Sequence, residues 1–481
     1  MRSQNSSTHI PSVIYPFTES HFKDSLPSHS FLSFIEFLCI SLVFVYLIVI
    51  PSGLAGFSLL LVCLLLKLAM TKSLLSLGLY VFLFGIKCAG LISIAFGYPG
   101  AGGKIAIIIA LLLIISSIDA ISLARVLQKP FAYILWVGIV LLFFYLYGPQ
   151  SEYCSQKLTD ILLTGTTGIV LFYLLLHSTR IDWLHLGQLG VITALLCYAV
   201  AIMLEPSLKP SGILDFGSMR MASFYKDDIF EIRNLIGGLS ILSFAFMISS
   251  NPDRHINRMR LSRIYLYLIA SLIILLWAGS RLPIMTAFII ILSTYFIQAR
   301  ARSRYKHILL IFSAIIALSL AFMISQNMPF IASLSDDTSS LSSRLNRDTN
   351  WDAAIRRFCE KPLLGHGLGG YYIEGYSYPG SGTYAHNVIL ELLSETGILG
   401  IILLTIPLIK SGRNYSFRKL VAQRTRNGAA LLPVMLTLFL QALVSFELST
   451  NIWLFSFFAV LFMIGSTNRN YEYRAQTSYG K

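Results

Sequence analysis

Long apolar runs separated by short polar breaks make up almost the whole chain. Runs near the ~20 residues that span a bilayer as a helix recur at 31–50, 53–69, 76–95, 104–122, 131–147, 160–177, 187–204, 233–249, 264–279, 283–298, 308–325, 388–409, 428–446 and 451–466. Only segments that satisfy their own backbone cross hydrocarbon, so the pattern predicts an all-α polytopic membrane protein of about 12–14 transmembrane helices. Residues 1–30 are polar, and the first apolar run, Phe31–Ile50, is too long for the core of a cleavable signal, so none is expected. Two polar interruptions stand out, 205–232 and 326–387, and the second is far longer than a connector needs. The expected organisation is an N-terminal tail (1–30), a helical region (31–325) containing the loop 205–232, a large loop (326–387), closing helices (388–466) and a C-terminal tail (467–481). No internal repeat is visible, so the inverted-repeat signature of many transporters is missing.

Composition sharpens this picture. The 481 residues are 55% hydrophobic and only 12% charged, where soluble proteins carry roughly 25% charge. A net charge of +14 would suggest nucleic acid in a soluble protein; here it reads as the basic loops that membrane proteins keep in the cytoplasm. Arg254, Arg258, Arg260 and Arg263 crowd one connection, Arg300, Arg302, Arg304 and Lys306 a second, and Lys410 to Arg426 a third. With alternating spans these three fall on one side together with both termini. Counting Lys67, Lys104 and Arg233 at span ends with the adjacent side, that side holds 24 Lys and Arg against 12 opposite, with Lys87 deep inside a span, which accounts for all 37. By this asymmetry 326–387 faces outward, away from the cytoplasm. The six cysteines show no metal spacing. Cys154 and Cys359 fall in outward loops, where a disulfide and two free thiols are both compatible with an oxidising compartment.

The stretch from Ser343 to Gly400 concentrates the candidate chemistry. Asp352 to Cys359 predicts a short amphipathic helix with Trp351, Ile355 and Phe358 on one face, ended by Pro362. Gly365, Gly367, Gly369 and Gly370 follow, then tyrosines suited to an interface or to stacking on sugar rings. Arg220, Arg281, Arg344 and Arg356 all lie on the outward side. A guanidinium grips phosphate oxygens in a planar fork and keeps its charge, so converging arginines make a diphosphate clamp; snorkelling to lipid headgroups is the plainer reading of each. His386 precedes the helix that starts at Val388, and an imidazole there serves either as a base for a hydroxyl or as an interfacial or capping residue. His366, flanked by glycines, reads as a turn residue. Glu391 and Glu395 recur at i, i+4 inside an apolar helix, where carboxylates demand a polar surround. Glu391 either orients His386 or contacts an acceptor, and pairing with Arg281 is the alternative. No Walker motif, zinc signature or dinucleotide fingerprint is present, and Asp227-Asp228 and Asp336-Asp337 read as solvated turns.

Arg344, Trp351, Pro362, Gly365-His366-Gly367 and His386-Asn387, with Gly397-Ile398-Leu399-Gly400 after nine residues, together resemble the bacterial O-antigen ligase and polysaccharide polymerase superfamily. The close resemblance covers about sixty residues, and the many-helix topology with one large periplasmic loop extends it loosely. It implies a GT-C-like membrane glycosyltransferase that works at the periplasmic face without metal, cofactor or nucleotide sugar. Its donor would be a glycan on undecaprenyl diphosphate, and its acceptor another glycan or lipid A–core, in lipopolysaccharide or exopolysaccharide biosynthesis. His386, Arg281 and Arg220 would be catalytic, and Arg344, Arg356, Asn387 and Glu391 would bind substrate. The spacing Arg356-x10-Gly367 resembles polymerases. Two other classes are open: a flippase for lipid-linked oligosaccharides, which would need charge at the membrane midplane, and an oligosaccharyltransferase acting on protein.

Overall fold

The computed structural model describes residues 53–71, 73–95, 101–117, 120–177, 182–204, 232–249, 258–278, 281–297, 350–371, 385, 387–412, 437, 439 and 440. Among them every regular element is helical. They are α1 (Gly53–Ala69), α2 (Leu74–Tyr80, a π-helical turn Val81–Gly85, then Ile86–Ala95), α3 (Ala101–Ser116), α4 (Ala120–Tyr147) and α5 (Glu152–His177). There follow α6 (Trp183–Leu204), α7 (Ile232–Ser249), α8 (Arg258–Ala278), α9 (Arg281–Ile297), a short α10 over 350–360 and α11 (Val388–Gly412). Three of the described helical stretches, Leu74–Ser93, Trp183–Leu204 and Val388–Pro407, are long and apolar enough to cross a membrane, and five shorter apolar helices accompany them. The predicted spans 31–50, 308–325 and 451–466, and nearly all of 428–446, lie outside the described residues.

Several boundaries differ from the sequence pattern. The run 104–122 stops at Ser116, because the hydroxyls of Ser116 and Ser117 bond back to the carbonyls of Leu112 and Ile114 and consume the last turn. A new helix starts at Ala120 and runs without a break into the predicted span at 131–147. The span placed at 160–177 begins eight residues earlier, at Glu152, because the Ser151 hydroxyl accepts the Cys154 N–H at 3.3 Å as an N-terminal cap.

α6 is the central post, 94% of its membrane-length window being covered by protein. Small residues let its neighbours approach: a Cβ on Gly187 would sit 2.5 Å from Met247 Cγ, inside α7. Hydroxyls then join the helices. Tyr80 and Thr193 meet at 2.8 Å between α2 and α6, and Ser240 and Ser271 donate to each other's carbonyls at 2.7 and 2.8 Å between α7 and α8. Each such bond contributes about 0.6 kcal/mol in a membrane. Trp183 stacks on Phe246 at 5.3 Å and Tyr198 on Trp277 at 5.2 Å. The outer faces are apolar: Phe131, Leu135, Ile139, Leu142 and Leu146 make an exposed stripe at helical spacing along α4. Such a stripe on a membrane protein is its lipid face. α11 leans on the other side of α4, where the Trp136 indole donates to the Leu403 carbonyl at 2.8 Å.

Candidate functional site

The site forms where α10, the turn 361–371 and the start of α11 settle on the hairpin between α4 and α5. It begins with a break in α11. Gly397 has φ 61° and ψ −168°, outside the helical region, so α11 is two half-helices, 388–396 and 398–412. The apolar pattern had predicted one continuous span, because a single glycine inside a helix costs only about 1 kcal/mol and carries no certain breaking signal. A break in an apolar helix frees carbonyls before it and N–H groups after it, and each needs a partner where water is scarce. The glycine-rich turn supplies all the observed ones. His366 and Gly367 donate to the Ser394 and Glu395 carbonyls at 3.0 and 2.8 Å, while Ile398 and Leu399 donate to the Pro362 and Leu363 carbonyls at 2.9 and 3.0 Å. A third strut, Leu368 N–H to the Phe144 carbonyl at 3.0 Å, ties the turn to α4. Gly367 is required twice over, by φ 84° and by contact: a Cβ there would lie 2.1 Å from Gly148 Cα.

At the other end of the first half-helix, Asn387 Oδ1 accepts the N–H groups of Ile389 and Leu390 at 3.0 and 3.2 Å. Asn387 is thus an N-terminal cap of α11. Ala385 packs with Ala354 of α10 and with Tyr371 in a small buried cluster. The Tyr371 hydroxyl donates to the Asn350 carbonyl at 2.8 Å, fixing the start of α10. Burial, and then the charges of Glu391 and Glu395, hold its phenol well above the usual range.

Glu391 and Glu395 sit on one face of the half-helix, and Lys157 of α5 reaches both, Nζ to Oε1 at 2.5 and 2.7 Å. The three side chains are 1% exposed or less. Lys157 was missed from sequence, where it lay in the polar connector 148–159; the available signal was Ser151-Glu152, a cap and an acidic first turn that start a helix early. Lys157 is thus a partner of Glu391 that the sequence reading did not name, while the expected pairing with Arg281 and orientation of His386 involve side chains outside the described residues. Cys154 lies buried directly beneath Gly369, whose Cβ would meet its sulfur at 2.4 Å, and Cys359 is exposed; both are free thiols, which removes the disulfide.

α10 forms where expected, but its buried face is Ala354, while Trp351 and Ile355 are 38% and 47% exposed. Of the expected apolar face only Phe358 is partly buried, and Ala354 makes the inner contact with Tyr371 and Ala385. Arg356 is exposed on the same helix. His366 is a turn residue, as expected: its Nε2 donates to the Arg357 carbonyl at 3.0 Å and lies 3.2 Å from Glu360 Oε2. Burial, ahead of the nearby Arg357 and Lys361, lowers its pKa. Arg281 is the first residue of α9, and its side chain lies outside the described residues, as do Arg220, Arg344 and His386 entirely. The described residues hold no group of three or more His, Cys, Asp and Glu arranged for a metal ion.

Residues 266–405, less than a third of the chain, match the family described as O-antigen ligase. That stretch takes in Arg281, Arg344, Arg356, the glycine turn and both halves of the broken helix as far as Thr405; Arg220 and Lys157 lie before it. Over 120 residues the chain is 31% identical to the exopolysaccharide production protein ExoQ of Rhizobium meliloti (strain 1021). The match covers 23% of this chain and 28% of that relative, far short of its full length. No solved structure matches. Both sequence matches support the resemblance to the O-antigen ligase and polysaccharide polymerase superfamily.

Proposed function

We propose that the protein is a membrane glycosyltransferase of surface polysaccharide assembly, a ligase or polymerase that moves a glycan from a lipid diphosphate to an acceptor hydroxyl at the outward face. The observation that carries this reading is the convergence of the family-like motif. Pro362, Gly365, Gly367 and Gly397, separated by up to 35 residues, close into one hydrogen-bonded unit. In sequence His386 stands between Ala385, which is buried, and the cap Asn387 at the head of that unit's half-helix.

The chemistry fits these residue types. The acceptor oxygen attacks the anomeric carbon, the bond from that carbon to the diphosphate oxygen breaks, and the hydroxyl proton passes to the His386 imidazole. Charge then develops on a lipid diphosphate, which fixed guanidinium groups stabilise; Arg281, Arg220, Arg344 and Arg356 are assigned that task. A diphosphate leaves readily, so a base of modest strength suffices. The donor is an undecaprenyl-diphosphate-linked glycan, and the acceptor a second glycan or lipid A–core.

The test is His386→Ala assayed with lipid-linked donor in membranes. The variant is expected at normal abundance, still binding donor, with transfer reduced by about 10²–10⁴-fold, the usual worth of a general base. Near-normal transfer by abundant variant protein would exclude the catalytic role.

A further inference from the structure

We infer that Lys157 is a positioning residue for this transfer: through Glu391 and Glu395 it sets the angle of the half-helix that begins directly after His386. The inference rests on the glycosyl-transfer reading above. A half-helix of nine residues, 388–396, is too short to hold its own direction in isolation. Its lower end is pinned at Gly397 by the bonds from the glycine turn. A segment pinned at one end can still tilt. Lys157 grips it along the side at two points one turn apart, Glu391 and Glu395, with Nζ 2.5 and 2.7 Å from their Oε1 atoms. It belongs to α5, a different membrane helix, so it references the half-helix to the scaffold.

The lever arm gives the scale. From residue 397 to Val388 is about 14 Å along the helix axis, so a tilt of about 4° moves the start of the half-helix by about 1 Å. Misplacement of that size costs on the order of 10²-fold in a reaction that depends on aligned groups.

A single Lys157→Met variant leaves two like charges buried together and is expected to accumulate poorly. The decisive variant is Lys157→Met with Glu391→Leu and Glu395→Leu, since replacing buried ion partners together by apolar groups of similar size is often neutral for stability. Two measurements are read on it. Transfer kinetics use a lipid-diphosphate-linked glycan. Spin-label distances use cysteines introduced at the exposed positions Glu152 and Ile389, with other reactive cysteines replaced by serine. The expected result is normal abundance, a donor KM within about threefold, a kcat lower by about 10²-fold, and a broadened or displaced distance distribution. Lys157→Arg, which keeps the charge, is expected to recover part of the kcat and to narrow the distribution. Unchanged kcat in the triple variant overturns the inference. So does lost kcat with an unchanged distribution, which would assign the carboxylates to direct substrate contact. If the unmodified chain transfers no lipid-linked glycan, the functional reading fails, and the distance measurement alone decides whether Lys157 sets the half-helix.

Discussion

Asn387 has a structural task of its own: its Oδ1 accepts the Ile389 and Leu390 N–H groups and caps the half-helix that follows His386 in sequence. Removing such a cap costs about 0.5–2 kcal/mol, and serine or aspartate replaces it at little cost. Asn387→Ala is therefore expected to lower the melting temperature of the purified protein and its transfer rate together, while Asn387→Ser keeps most of both. A stable but inactive Asn387→Ser protein would instead place the amide on substrate. The sequence carried the demand at Glu391 and Glu395, since paired carboxylates in an apolar helix need a cation. It did not carry the answer. Lys157 is more than two hundred residues away, and nothing in local spacing distinguishes it from Arg281 or Arg356.

At the scale of elements, the informative feature is a helix that stops being one. The pattern predicted a membrane span from 388 to 409, and the structure divides it at Gly397. Leucine and isoleucine continue with unbroken periodicity on both sides, which is why pattern reading passed over the break. What reveals it is a tertiary fact: the freed carbonyls of Ser394 and Glu395 meet N–H groups of the glycine turn. Gly397→Ala should undo this. A backbone at φ 61° and ψ −168° is open essentially to glycine alone and costs another residue about 1–3 kcal/mol, and the new Cβ would lie 2.4 Å from the Leu363 carbonyl oxygen. The chain is then expected to heal the helix, with Ile398 and Leu399 bonding to Ser394 and Glu395 and displacing His366 and Gly367. Hydrogen exchange should accelerate over 361–371 while α6 stays protected, and unchanged exchange in that segment would refute the stitched-break account. α10 was legible as a helix from its spacing but not in its facing, since Ala354 rather than Trp351 makes the inner contact.

For the whole molecule, contacts made far apart in sequence can be compared with the expected topology. Alternating spans place the end of α4, the start of α5 and the start of α11 on one side, and the end of α1 and the start of α6 on the other. The Gly367 turn meets Gly148 just past α4, and Lys157 near the start of α5 meets Glu391 near the start of α11. At the opposite end, Thr71 after α1 meets the His185 ring in the first turn of α6 at 3.0 Å. Both groupings agree with the alternation, although the packing contains no information about which side is outside. That remaining choice rests on the basic loops alone, and a native thiol can test it. Cys359 is exposed on α10, whereas Cys63, Cys88, Cys154 and Cys197 are buried and shielded from reagents. In cells with a permeabilised outer membrane, a charged maleimide that cannot cross the inner membrane is expected to label the protein, and Cys359→Ser should abolish most of that label. Labelling that needs the inner membrane to be opened as well would put α10, the glycine turn and residue 386 in the cytoplasm. Outward transfer to a surface polysaccharide would then be untenable, whatever the activity of the His386 variants.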